Sequence, residues 1–114
     1  MMLHKKIQAR FYELPSGKKP VREWLLALNA RDRRIAGHDI QTVEFGWPIG
    51  MPVCKPLGSG LYEVRCGLSD GRIGRVIFCI IENEMALLHG FVKKAQKTPS
   101  ADLALARKRM KEIS

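Results

Sequence analysis

The sequence has 114 residues with 46% hydrophobic and 27% charged side chains, so we expect a single globular domain over residues 1–114 rather than a disordered chain. It contains no apolar run long enough to span a bilayer, and no apolar stretch follows the basic N-terminus, which predicts a cytoplasmic protein without membrane contact. Twenty Lys and Arg against eleven Asp and Glu give a net charge of +9, which favours nucleic acid as a partner over the alternative that the charge serves only solubility.

The first half of the sequence predicts one strand followed by two helices. Residues 7–13 have strand-like character, and Pro20 suits the first turn of a helix over 20–28. The apolar residues of this helix recur at i, i+3, i+4 and i+7: Val21, Trp24, Leu25 and Leu28. Asn29 can cap a second helix directly after it. The inner face of that helix would hold Ala36, Ile40 and Val43. We therefore expect a helical hairpin.

The second half predicts consecutive strands joined by short turns. We expect strands over residues 61–66, 73–82 and 85–92, after a shorter apolar-basic run over 53–57. Alternation within the first of them places Glu63 and Arg65 on one face. The next strand is apolar on both faces except at Arg75, as in a central strand. Asn83 and Glu84 predict a tight hairpin turn, so these strands form an antiparallel meander.

The C-terminal segment predicts an amphipathic helix. Thr98 suits the N-cap of this helix, and Pro99 suits its first position. The apolar residues that would face the rest of the protein are Leu103, Ala106, Met110 and Ile113. The order of elements predicts an α+β fold, in which an antiparallel sheet of about four to five strands carries an N-terminal helical hairpin and a C-terminal helix.

Basic residues are concentrated toward the C-terminus. Residues 93–114 hold seven basic and two acidic side chains, a net charge of +5. Lys93 and Lys94 lie where the last strand meets the last helix. The residues that we expect to contact RNA phosphates are Lys55, Lys97, Arg107, Lys108, Arg109 and Lys111.

Arg75 is the most informative single charge, because a desolvated arginine normally has a specific partner. Glu63 can supply that partner through a cross-strand ion pair. A substrate phosphate, which an arginine binds through two parallel hydrogen bonds, is the other candidate. The sequence leaves both interpretations open.

The sequence lacks the patterns that are typical of metal sites, phosphate-binding loops and reactive cysteine pairs. The histidines have no metal-ligand spacing, and no phosphate-binding glycine loop occurs, so we expect neither a metal nor another cofactor. The three cysteines form no C-x-x-C pair, which argues against a zinc ribbon. Cys66 and Cys79 lie in apolar strand-like runs, which favours core packing over catalysis.

Three stretches of the sequence resemble toxins of the HigB/RelE type, in the RelE/ParE superfamily of toxin–antitoxin proteins. Residues 54–65, CKPLGSGLYEVR, and residues 74–78, GRVIF, look like the strands at the centre of those toxins. Residues 87–99, LLHGFVKKAQKTP, are similar to the phage-derived, HigB-like branch. The resemblance covers roughly residues 7–113.

The resemblance implies a basic face that enters the ribosomal decoding site and cuts mRNA there without a metal. Arg65 and Arg75 match the family's strand arginines, and Lys93 and Lys94 match its basic pair after the last strand. In-line attack by the RNA 2′-hydroxyl builds negative charge that such cations stabilise. The implied partners are the ribosome, mRNA and an antitoxin, which we expect to be a helix-turn-helix protein of the HigA type.

The identity of the general base stays open. The last helix has no tyrosine, and Glu63 occupies a position where some relatives have a lysine. A lysine whose pKa is lowered by neighbouring like charges can accept the 2′-hydroxyl proton, and so can His89 if it faces the substrate. His89 would share a strand face with Leu87 and Phe91, and a role in the core is the alternative.

Two other functions fit the same basic surface. A toxin of this fold can bind a protein target such as DNA gyrase, as the ParE branch does, without cutting RNA. A non-enzymatic RNA-binding module is the third possibility. The combination of Arg75 with Lys93 and Lys94 favours the endoribonuclease.

Overall fold

The computed structural model describes residues 4–93 and 98–114, and its elements follow one another as β-α-α-β-β-β-β-α. They are β1 (Gln8–Phe11), α1 (Pro20–Ala27), α2 (Ala30–Gly46), β2 (Cys54–Gly58), β3 (Leu61–Gly67), β4 (Ile73–Ile81), β5 (Glu84–Lys93) and α3 (Ser100–Ile113). The strands form one sheet in the order β1-β5-β4-β3-β2. The α+β class, the helical hairpin and the C-terminal helix are therefore confirmed.

The sheet is mixed, so the expectation of a purely antiparallel sheet is wrong at one edge. Strands β2 to β5 form the expected antiparallel meander. Strand β1 instead pairs with β5 in parallel, with Gln8 opposite Glu84. The alternation within a strand determines its faces but not its direction. The long α1–α2 connection then carries the chain from β1 at one edge to β2 at the other.

The helical hairpin begins and turns where the sequence predicts. Pro20 is the first residue of α1, and the side chain of Asn29 accepts a hydrogen bond of 2.8 Å from the backbone N–H of Asp32. Arg33 then reaches back to the end of α1. Its guanidinium donates to the carbonyl oxygens of Leu25, Leu26 and Leu28 at 3.1 to 3.3 Å. These bonds supply donors to carbonyls at the C-terminus of α1, of which that of Leu25 also accepts from the backbone N–H of Leu28.

Asp32 fastens α2 to the turn between β3 and β4. Its buried carboxylate accepts hydrogen bonds from the backbone N–H and hydroxyl of Ser69, at 2.9 and 3.0 Å. Arg72 forms an ion pair with it at 2.6 Å. The backbone N–H of Ser69, together with Arg72, holds the pKa of Asp32 below its usual value.

The two faces of the sheet carry separate apolar clusters. The hairpin helices cover one face through Val21, Ala36, Ile40 and Val43, against Val64, Val76, Phe78 and Leu87. The C-terminal helix covers the other face, and all four of its predicted apolar residues are in this cluster: Leu103, Ala106, Met110 and Ile113. The sheet therefore separates the hairpin from α3.

Trp24 of α1 lies so close to β5 that only glycine fits beneath it. A Cβ on Gly90 would stand 2.7 Å from two atoms of the Trp24 ring. We expect Gly90→Ala to destabilise the protein by about 1–3 kcal/mol, measured by denaturant unfolding, because the overpacked ring must shift. Gly37 in α2 is the control, since a Cβ there meets nothing within 4 Å. Gly37→Ala should raise stability by up to about 1 kcal/mol. Equal stability of wild type and Gly90→Ala would contradict this packing.

The β4–β5 hairpin differs from the prediction in two details. Its turn is formed by Glu82 and Asn83, with φ of 50° and 64°, one residue earlier than expected. The register then shifts, because Ile77 pairs with His89 whereas Phe78 pairs with Leu87. This β-bulge places two consecutive residues of β5 opposite one of β4 and reverses the alternation of faces. The expectation that His89 shares a face with Leu87 is therefore wrong.

Candidate active site

The predicted strand residues meet on the sheet face that α3 covers. Paired residues of neighbouring strands project to the same side, so each row of pairs presents its side chains together. One row contains Lys55, Glu63, Ile77 and His89. The next row contains Arg65, Arg75 and Phe91. The sheet thus collects Lys55, Arg65, Arg75 and His89 in two adjacent rows.

Arg75 is buried on this face and is paired with Glu63, one of the two partners that the sequence allows. Its side chain is 0% exposed, and Nη1 lies 3.9 Å from Oε1 of Glu63, which is itself 1% exposed. The other carboxylate oxygen of Glu63 accepts a hydrogen bond of 2.6 Å from the hydroxyl of Thr98. The arginine, the carboxylate and the threonine form a buried polar group between the sheet and the start of α3.

Thr98 does not have the role predicted for it. The helix begins at Ser100, Pro99 occupies the N-cap position, and no side chain caps it. The Thr98 hydroxyl is bound to Glu63 instead. A tertiary partner therefore replaces the local cap that the sequence pattern favours.

Arg65 is the more accessible of the two strand arginines. It stands directly opposite Arg75 in the β3–β4 register and is half-buried. Like charges at such a position repel each other. Glu63 offsets the charge of Arg75, and within residues 4–93 and 98–114 no carboxylate forms an ion pair with Arg65. Arg65 is therefore a cation available to an anionic ligand at this face.

His89 is held by a carboxylate of α3. Its Nε2 lies 2.6 Å from Oδ1 of Asp102, and the two side chains are 17% and 23% exposed. The ring also stacks on Phe91, with centroids 5.3 Å apart and planes 20° apart. Because the carboxylate only accepts hydrogen bonds, the proton of a neutral His89 stays on Nε2 and Nδ1 keeps its lone pair. A neutral His89 held in this tautomer can accept a proton at Nδ1.

Asp102 is the residue that the sequence analysis missed. An acidic residue in the first turn of a helix already has a simple explanation in the helix dipole, so its sequence position does not indicate a site. The one available signal is that residues 93–114 contain only two acidic side chains. Both are bound to the sheet side, Asp102 by His89 and Glu112 by the hydroxyl of Tyr12.

The four predicted RNA-binding residues of α3 divide into two groups. Arg107, Lys108 and Lys111 are exposed. Arg109 turns inward, where its guanidinium donates to the Leu88 carbonyl at 2.7 Å and lies 5.2 Å from the Tyr12 ring centroid. The hydrogen bond to Glu112, followed by burial, raises the pKa of Tyr12 above its usual value. Arg109 and Tyr12 therefore anchor α3 to the sheet.

The structure describes the backbone of one of the three remaining predicted lysines. Lys93 is the last residue of β5 and pairs with Ile73, whereas Lys94 and Lys97 lie outside the described residues.

In the part of the chain that the structure describes, no three His, Cys, Asp or Glu side chains group as metal ligands. Across the same residues, no helix is both long and apolar enough to cross a membrane.

The cysteines are buried free thiols, as expected for core residues. Burial raises the pKa of Cys54 to about 11 and that of Cys66 to about 12. Such thiols stay protonated at neutral pH and are poor nucleophiles.

The fold and this face define a small basic α+β protein in which two strand arginines and a carboxylate-bound histidine share one side of a sheet. The chain belongs to the phage-derived Gp49-like family, whose model matches residues 23–111. This is a family of RelE/HigB-like toxins in toxin–antitoxin systems. None of the curated proteins matches the chain.

Proposed function

We propose that the protein is the toxin of a toxin–antitoxin pair and acts as a ribosome-dependent, metal-independent mRNA endoribonuclease of the HigB type. The observation that carries this proposal is the pair of adjacent rows that brings Arg65 together with His89 on the face covered by α3. The family membership and the net charge of +9 support it. The antitoxin partner that we propose is a helix-turn-helix protein of the HigA type.

The proposed reaction uses a nucleophile that RNA itself supplies. The 2′-oxygen attacks the adjacent phosphorus, and its proton passes to Nδ1 of His89, whose Nε2–H is held by Asp102. Arg65 stabilises the negative charge that develops on the phosphate oxygens. The bond from phosphorus to the 5′-oxygen then breaks, and that oxygen takes a proton from an ammonium group, for which Lys93 and Lys94 are our candidates. The products are a 2′,3′-cyclic phosphate and a 5′-hydroxyl.

The buried pair of Arg75 and Glu63 has a different place in this proposal. Arg75 offsets the charge of Glu63 directly beside Arg65, and we assign it to the electrostatic support of that residue. The exposed cations of α3 and Lys55 would bind phosphates further along the message, without contacting the reacting atoms.

Expression of the chain alone in a bacterial host tests the proposal. We expect growth to stop and actively translated messages to be cut, with new 5′ ends mapped by primer extension on RNA from induced cells. Purified protein should cut a message in a translation system but not the same message without ribosomes. Intact messages accompanied by DNA breaks would contradict the proposal and indicate a gyrase poison instead.

A further inference from the structure

The charge of the protein is divided between two parts of the chain. Residues 93–114 carry a net charge of +5, and residues 18–34 carry a net charge of +4, so together they account for the total of +9. The second group lies on the helical hairpin and in the loop before it. Because the hairpin and α3 cover opposite faces of the sheet, the cations of the hairpin and those of α3 are on opposite sides of the molecule.

The cations of the hairpin are directed to solvent. Arg33 is exposed but is bound to the carbonyls at the end of α1. The other exposed basic residues, called here the hairpin cations, are Lys18, Lys19, Arg22, Arg31 and Arg34. None of them forms an ion pair with any residue in 4–93 or 98–114. Asp32 lies among them in sequence, but it is buried and bound by Ser69 and Arg72. These charges are therefore not needed to balance acidic groups of the fold.

The hairpin cations near the starts of α1 and α2 are at positions where a positive charge does not stabilise the fold. Arg22 lies in the first turn of α1 and Arg31 in the first turn of α2, while Lys19 is the N-cap of α1. A cation at the N-terminus of a helix is repelled by the helix dipole, typically at a cost of about 0.3–1 kcal/mol. The helix dipoles add to the positive potential that these side chains present to solvent. Such a local conflict is typical of a surface used for binding.

We propose that the hairpin cations form a second RNA-binding surface, which contacts structured RNA of the ribosome while the opposite face holds the message. This inference rests on the proposed function. The 8 residues of α1 rise about 12 Å, so the cations at the two helix starts can reach separate phosphates of one RNA segment. Contacts on both sides of the sheet place the protein between two RNA segments.

The surface favours RNA over an acidic protein. Stable protein interfaces are anchored by apolar and aromatic side chains at their centre. In the two hairpin helices, Leu26 is the large apolar side chain that is exposed, at 48%. The cations around it include guanidinium groups, which suit phosphate oxygens geometrically.

The test compares two variants that remove the same charge from different places. Arg31→Gln/Arg34→Gln changes the hairpin, and Lys6→Gln/Arg10→Gln changes exposed residues at the β1 edge. Affinity is measured for purified ribosomes and for a short single-stranded RNA over a range of salt concentrations. We expect the hairpin variant to reduce the log–log salt slope for ribosomes by about 1.4–1.8, because each lost phosphate contact contributes about 0.7–0.9. Its affinity for the short RNA, and the ribosome slope of the control variant, should stay as in wild type.

The outcomes separate the two proposals. If wild type binds ribosomes with a steep salt slope and the hairpin variant keeps that slope, the second surface is refuted while the proposed function stands. If wild type does not bind ribosomes, both proposals fail. If the hairpin variant binds ribosomes normally but loses affinity for its antitoxin, the surface serves an acidic protein, and the inference is overturned. Circular dichroism of each variant establishes that it is folded.

Discussion

Arg75→Met is expected to destabilise the protein by about 3–5 kcal/mol, because the substitution leaves the carboxylate of Glu63 buried without its cation. The double variant Glu63→Gln/Arg75→Met should recover most of this loss. Glutamine still accepts the hydrogen bond from Thr98, and it leaves no charge to be compensated. Urea unfolding of the two single variants and the double variant gives the coupling energy of the pair. A single Arg75→Met variant as stable as wild type would contradict this electrostatic role.

Arg65→Met provides the matched control for function. Arg65 is on the same face and directly opposite, but it is half-buried and outside the ion pair. We expect it to fold with near-normal stability and to lose about 10²–10³-fold in cleavage rate, as when one donor to a developing oxyanion is removed. Toxicity of the stabilised double variant then shows whether Arg75 supports Arg65 or is dispensable. A fully toxic Arg65→Met variant would remove Arg65 from the mechanism.

His89→Gln is expected to lower the rate of mRNA cleavage by about 10²–10⁴-fold, the usual contribution of a positioned general base. Asp102→Asn should also lower the rate, because the asparagine amide can donate to Nε2 and so favour the tautomer whose Nδ1 already carries a proton and cannot accept another. The cleavage rate of the purified protein on programmed ribosomes is measured across pH. A rate and pH profile of His89→Gln equal to those of wild type would remove His89 from the mechanism.

Glu112→Gln is the control for the anchoring of α3. Glu112 is the other acidic residue of the helix, and it accepts a hydrogen bond from Tyr12 without contacting His89. If loosening of the helix alone lowers activity, Glu112→Gln and Asp102→Asn should affect the rate equally. Equal rates and equal pH profiles in these two variants would refute the positioning role of Asp102.

Local sequence signals predicted the helices well. The start of α1 at Pro20, the cap at Asn29 and the inner face of α3 all depend on interactions within a few residues, which a sequence displays directly. The strand meander also followed from alternation and turn residues. Alternation also predicted that Glu63 and Arg65 share one face of β3, whereas the position of Arg75 opposite Arg65 depends on the register between the strands.

Long-range features escaped prediction for physical reasons. The parallel pairing of β1 depends on a partner more than 70 residues away, and no local pattern encodes its direction. The bulge in β5 reverses the alternation of faces, so Leu87 does not share the face of His89 as predicted, whereas Phe91 does. Thr98 and Asp102 carried plausible local roles at a helix start, whereas their partners, Glu63 and His89, lie on the sheet. Tertiary contacts thus decided the details of the candidate site.

The parallel pairing of β1 with β5 has a consequence for the order of folding. Strand β1 precedes the other strands in sequence, but the backbone that completes its hydrogen bonds lies at Glu84–Leu87, and Tyr12 forms its hydrogen bond with Glu112, 100 residues away. Pairings so distant in sequence form late and slowly, since the entropy of closing a long loop must be overcome first. The antiparallel pairs β2–β3, β3–β4 and β4–β5 join strands that are consecutive in sequence, so the meander can form before β1 completes the edge of the sheet beside β5.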